Sequence, residues 1–208
     1  MKRQLLLLCA VSICVFSFYL FSCNDSKTAK EESTSGTESK TMSKEEMIKR
    51  GDYMVTTGSC NDCHSPKVFT AQGPVPDSTK LLSGHQAGSP LPPIHAKSLQ
   101  PGNWMLMAAD ITAFVGPWGI SYTANLTPDS ATGIGAWSEA TFINTIRSGK
   151  HLGNGRDILP PMPWQFISKM TDDDLKSVYA YLMSLPAINN RVPGPVPPPE
   201  AAKMAEAK

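Results

Sequence analysis

The segment Cys60-Asn61-Asp62-Cys63-His64 constrains what this chain can fold into more than any other stretch. The chain has five cysteines. Cys9 and Cys14 lie in an apolar N-terminal run and Cys23 directly follows it, so Cys60 and Cys63 are the pair left for a folded domain. A structural zinc site draws on four nitrogen or sulfur ligands. No second Cys-x-x-Cys exists here, and His85, His95 and His151 are scattered. A thioredoxin-like couple opens a helix within alternating strands and helices. This pair instead follows a helical pattern. A plain disulfide would leave His64 without a role.

The spacing therefore points to covalent haem attachment, with Cys60 and Cys63 as thioether donors and His64 as an axial ligand to iron. One such motif implies one haem c. A second signal lies at 158–166, ILPPMPWQF. Met162 sits between Pro161 and Pro163, whose fixed φ favours an extended loop over a helix. Such a loop can aim a thioether at little entropic cost, making Met162 the expected sixth ligand. Met170 is the rival methionine and His151 the alternative sixth ligand. Met105, Met107 and Met183 read as packing residues.

The N-terminus reads as an address. Lys2 and Arg3 precede a charge-free, largely apolar run from Leu5 to Phe21 and then Ser22, the order of an export signal. LFSC at 20–23 resembles the lipobox of bacterial lipoproteins, which makes Cys23 the candidate lipidation site. An ordinary cleaved signal and an uncleaved anchor are the other readings. The expected organisation is a signal over 1–22, a lipidated cysteine and polar tether over 23–42, and a folded domain over 43–189. A Pro-rich, disordered tail over 190–208 follows, with at most a frayed turn of helix. The formal net charge of +1 offers no basic footprint for nucleic acid.

Within the domain, Ser43 and Glu46 form a capping box opening a helix that ends near Gly58. Gly51 falls mid-helix, at a cost of about 1 kcal/mol against alanine, and implies close approach of another helix. Ser138 caps a second helix with Phe142, Ile143 and Ile146 inward and Gly149 as its stop. Thr171 caps a third, whose first turn holds Asp172, Asp173 and Asp174 and whose apolar positions are Leu175, Val178, Tyr179 and Leu182. Residues 65–103 read as loop, and 104–127 as short strands or a hairpin about Gly116-Pro117-Trp118-Gly119. The fold class is mainly α, with three principal helices and long loops.

Four stretches together (IKRGDYMVTTGSCNDCH, NLTPDSATGIGAWSEATFINTIRSGK, ILPPMPW and MTDDDLKSVYAYLMSLP) resemble monohaem, class I-like c-type cytochromes. The second and fourth are similar to the cytochrome c subunits of membrane dehydrogenases. The resemblance implies a cytochrome c-like fold in which the first and last helices cross, with Gly51 against Tyr179 or Leu182. It implies that the second nitrogen of His64 bonds a proline carbonyl, Pro74 or alternatively Pro76. It also suggests Trp137, Asn125 and Arg147 as neighbours of the haem, the last two beside its propionates.

Ligation by His64 and Met162 leaves no open iron position. The expectation is thus a one-electron carrier rather than an enzyme, anchored on the bacterial cell envelope at the periplasmic face or cell surface. Its partners would be a membrane dehydrogenase, reductase or oxidase. The alternative is a haem subunit of an enzyme complex, or a sensor, with an open or displaceable sixth position.

Overall fold

The computed structural model describes residues 42–206. Its helices are accompanied by two small antiparallel sheets. The expected caps set the helix starts. In α1 (Lys44–Thr57) the Ser43 hydroxyl accepts from the Glu46 N–H and the Glu46 carboxylate accepts from the Ser43 N–H. Thr171 and Asp174 make the same reciprocal pair at α5 (Asp172–Leu182). Ser138 caps α3 (Glu139–Ser148), which Gly149 ends in the left-handed conformation at φ 66°. Between α1 and α3 lies α2 (Cys60–His64), a single turn, and α4 (Trp164–Ile167) is a second short helix before α5.

The three long helices share one core of Val55, Leu82, Ile134, Phe142, Ile146, Leu175 and Leu182. α1 and α5 cross at Gly51. A Cβ there would lie 2.0 Å from the Ser177 carbonyl oxygen and 2.7 Å from the Tyr181 Cβ. The helix crossing inferred from the glycine is present, but its contact is Ser177 and Tyr181 rather than Tyr179 or Leu182. The Tyr179 ring turns instead toward Phe142, 5.6 Å away between centroids. On one helix, positions 177 and 181 are four apart and share a face.

The stretch 65–103 is less irregular than its prolines suggest. β1 (Lys67–Thr70) and β2 (Gly73–Pro76) form a hairpin in which Phe69 faces Pro74 and Lys67 faces Pro76. Pairs along an antiparallel ladder alternate between hydrogen-bonded and not. Counting from the closing pair Thr70–Gly73, both prolines fall at non-bonded positions, where a missing N–H costs the ladder nothing.

The second sheet is β3 (Leu106–Met107), β4 (Ala113–Gly116) and β5 (Gly119–Tyr122), with the β4–β5 turn at the expected Gly-Pro-Trp-Gly. Here the C-terminal reading requires correction. Residues 190–206 are not a disordered tail. Val196 pairs with Ile120 through two backbone hydrogen bonds of 2.8 and 3.0 Å, and α6 (Pro198–Glu206) buries Ala201 completely against Ile120 and Val115. Asn190 is also buried. Its amide donates to the carbonyls of Ser83 (2.7 Å) and His85 (2.9 Å), and its oxygen accepts from the Ala87 N–H (3.0 Å). The folded unit thus runs past 189.

Candidate functional site

α1 ends at Gly58, and Ser59, held at φ 56°, turns the chain directly into α2. One helical turn then presents Cys60, Cys63 and His64 together. Both thiols are free and half-buried. Burial raises the Cys60 and Cys63 thiols above their ordinary value, and Lys67 partly offsets this at Cys63. The pair is held as thiols rather than thiolates at neutral pH.

His64 is buried, and burial lowers its imidazole below the ordinary histidine value. Its Nδ1–H donates to the Ala124 carbonyl at 2.8 Å. A carbonyl can only accept, so this bond places the proton of the neutral ring on Nδ1 and leaves Nε2 with a free lone pair. Among the described residues nothing hydrogen-bonds Nε2. The acceptor is not Pro74 or Pro76, as the resemblance implied, for both prolines lie within β2.

Three groups not anticipated from the sequence hold this turn. The Ser65 hydroxyl donates to Asn61 Oδ1 and accepts from the Leu82 N–H, both at 2.8 Å. The Gly84 N–H donates to the His64 carbonyl at 2.7 Å. The Lys67 ammonium reaches back to the Asn61, Asp62 and Ser65 carbonyls, at 3.3, 2.7 and 2.5 Å. A cation beside the carbonyls that end a helix was the one legible signal among them.

Met162 is half-buried in the loop between α3 and α4. Its loop is fixed at two points. The Ile158 N–H donates to the Gly149 carbonyl at 2.7 Å. The Ser121 hydroxyl donates to the Pro160 carbonyl at 2.6 Å. Ser121 and Ala124 belong to one extended segment and stand about 10 Å apart along it. That segment therefore carries the anchor of the His64 ring and the anchor of the Met162 loop. Met170 packs on the helical core, and His151 is exposed with its ring edge-on to Trp137 at 5.4 Å.

The three further candidates are engaged in the fold. Trp137 packs on the helical core, and its carbonyl accepts from the Tyr179 hydroxyl at 2.7 Å. Asn125, buried, donates to the Ile188 carbonyl at 2.8 Å and accepts from the Thr127 hydroxyl and N–H at 2.7 and 3.0 Å. Arg147 donates to the Ser168 carbonyl and pairs with Asp172 at 2.6 Å. It ties α3 to the start of α5. The hydrogen-bonding capacity of the Asn125 amide is thus taken up within the protein, while Arg147 uses only part of its five donors. Cys23 lies outside the described residues, among which no helix is long and apolar enough to cross a membrane.

The donor set fits haem c. Two unoxidised thiols and an imidazole with a free Nε2 share one turn, and the ring is held by a carbonyl on a neighbouring segment. Next to Ala124, the hydroxyl of Thr123 is buried with no hydrogen-bond partner among the described residues, a polar group left over within the protein.

No family model matches the chain. It is similar to the gluconate 2-dehydrogenase cytochrome c subunit of Pantoea cypripedii, 31% identical over 137 residues, 66% of this chain and 23% of that protein. It is similar to the fructose dehydrogenase cytochrome subunit of Gluconobacter japonicus, 30% identical over 106 residues, 43% of this chain and 22% of that protein. It also resembles the alcohol dehydrogenase (quinone) cytochrome c subunit of Gluconobacter oxydans, 27% identical over 139 residues, 67% of this chain and 21% of that protein. The chain spans less than a quarter of the length of these curated relatives.

Proposed function

We propose that the chain is a monohaem c-type cytochrome that transfers single electrons as the carrier subunit of a membrane dehydrogenase chain. The observation that carries this reading is the Cys60–His64 turn with the His64 Nδ1–H fixed on Ala124. The cytochrome subunits of dehydrogenases among its relatives support the partner class. The crossing of α1 and α5 at Gly51 supports a cytochrome c-like fold.

Haem c supplies the one-electron couple. The chain supplies position and surroundings. Cys60 and Cys63 hold the group through thioethers, so it cannot dissociate. The Ala124 carbonyl keeps a proton on Nδ1, orients the ring and raises its basicity as a ligand. Met162, in a loop flanked by prolines, would hold the iron together with His64, and thioether ligation would favour the reduced state. With both residues on the iron no position would remain for substrate, and the chain would act as a carrier rather than a catalyst. Lipidation at Cys23, after removal of 1–22, would anchor the domain to the cell envelope through the polar tether.

The test is optical. The purified protein should give a pyridine haemochrome of c type with one haem per chain, and the oxidised form a methionine–iron(III) charge-transfer band. Absence of haem would end this reading. High-spin bands, or ready carbon monoxide binding by the reduced protein, would favour the alternative with an open sixth position. Replacement of Cys23 by serine should release the protein from membranes, and unchanged fractionation would refute the anchor.

A further inference from the structure

The segment that anchors His64 also carries a side chain whose one evident task is to hold the loop of Met162. Ser121 is buried on β5. The indole N–H of Trp118 donates to its hydroxyl oxygen at 3.1 Å, and the hydroxyl donates its single hydrogen to the Pro160 carbonyl at 2.6 Å. Trp118 is itself fixed. Its ring lies over Gly116, where an added Cβ would fall 2.4 Å from it. The direction of this relay is forced, because an indole N–H only donates and a carbonyl only accepts. Pro160 cannot hold the loop with an N–H of its own. Among the described residues, Ser121 is the side chain that bonds a backbone group between 159 and 163.

The geometry points to Ser121 as the positioning residue of the sixth ligand: its hydroxyl, oriented by Trp118, fixes the Pro160 carbonyl and so holds Met162 at the iron. This rests on the His64/Met162 reading and extends it to the β4–β5 turn, where Trp118 thereby acts on the Met162 loop. β5 is a rigid base for the task, because Val196 pairs with Ile120 on the residue just before Ser121. Loss of the hydroxyl would leave a half-closed loop, in which Met162 leaves the iron more often, with the thioethers and His64 untouched.

The experiment uses the haem-loaded protein and reads two quantities: the fraction of oxidised protein lacking the methionine–iron(III) band, and the rate at which carbon monoxide binds the reduced form. Ser121→Ala should raise the band-less fraction about fivefold, the weight of one buried hydrogen bond, and speed carbon monoxide binding in parallel. Ser121→Thr, which keeps the hydroxyl, should restore both. An intact band in Ser121→Ala with unchanged carbon monoxide binding overturns the assignment of Ser121 while leaving Met162 in place. A wild-type protein without the band overturns the His64/Met162 reading itself, and this assignment with it. Should Ser121→Ala yield no folded protein, Trp118→Phe decides: a raised band-less fraction supports the relay, and an unchanged one overturns it.

Discussion

Gly51 on α1 lies against the Ser177 carbonyl of α5 so closely that a single methyl group would overlap it, at 2.0 Å. Backbone cannot step aside as a flexible side chain can. Gly51→Ala should therefore cost ~3 kcal/mol, the upper end for overpacking, even though alanine is the better helix former. Urea unfolding would check it. A stabilised or unchanged variant would mean that the helices part without cost.

Asp174 joins two helices at once. Its carboxylate accepts from the Thr171 N–H at 3.3 Å as half of a capping box and from Arg50 Nε at 2.9 Å. Burial pushes its carboxyl up, but the hydrogen bonds from Arg50 and Thr171 outweigh this and hold it below the ordinary value. A depressed carboxyl contributes stability above its unfolded pKa and loses it as pH falls through the folded one. Asp174→Ala should cost ~1 kcal/mol near neutral pH, with the difference from wild type shrinking below about pH 4. Thermal melts at several pH values would show the convergence; a constant gap would exclude linkage.

His85 is buried, like His64, and its linkage acts at higher pH than that of Asp174. Its Nδ1 is 2.8 Å from the Thr112 hydroxyl, which donates to the Asp110 carboxylate at 2.7 Å, so Thr112 accepts from His85 Nδ1–H. Tyr122 flanks the ring at 4.9 Å. Burial lowers its folded pKa despite the opposing field of Asp110. The unfolded chain therefore takes up the proton first, and stability should fall as pH drops below about 6.5, before carboxylates titrate. His85→Gln should flatten this slope. A wild-type protein with pH-independent stability between about 5 and 7 would refute it.

Asn190 closes three backbone groups around 83–87. Asn190→Ala would leave two buried carbonyls and an N–H unpaired, at ~3 kcal/mol if water reaches some of them. A shift in the denaturation midpoint with unchanged m-value is the expected result. No shift would return residues 190–206 to the status of an appendage.

What the sequence made legible followed side chains with local partners. Ser43, Ser138 and Thr171 announce helix starts because their hydroxyls bond an N–H three residues away. Gly51 announces a helix contact because no other residue fits. The rest depends on partners that a sequence does not mark. The acceptor for His64 is a backbone carbonyl, which any residue supplies, so Ala124 carries no signal of its own. Pro74 and Pro76 read as breakers, yet they suit non-bonded positions of a hairpin. The C-terminal stretch has a disordered composition, but Val196, Ala201 and Asn190 each find a buried partner far back in the chain. Asn125 and Arg147 were singled out as neighbours of the propionates, and the structure shows them bonded within the fold. Their partners are Ile188, Thr127, Ser168 and Asp172.

The pairing of Val196 with Ile120 also imposes an order of events. A polypeptide is made from its N-terminus, so Cys60, Cys63 and His64 emerge long before the residues that complete the edge of β5. Until residues 196–206 arrive, β5, whose Ser121 holds the Pro160 carbonyl, lacks its pairing with Val196. In that interval the turn that carries the two thiols would stand on an unfinished scaffold. An attachment machinery would meet them in this open state. On the haem c reading proposed above, packing of α6 on Ile120 would come after the thioethers have formed.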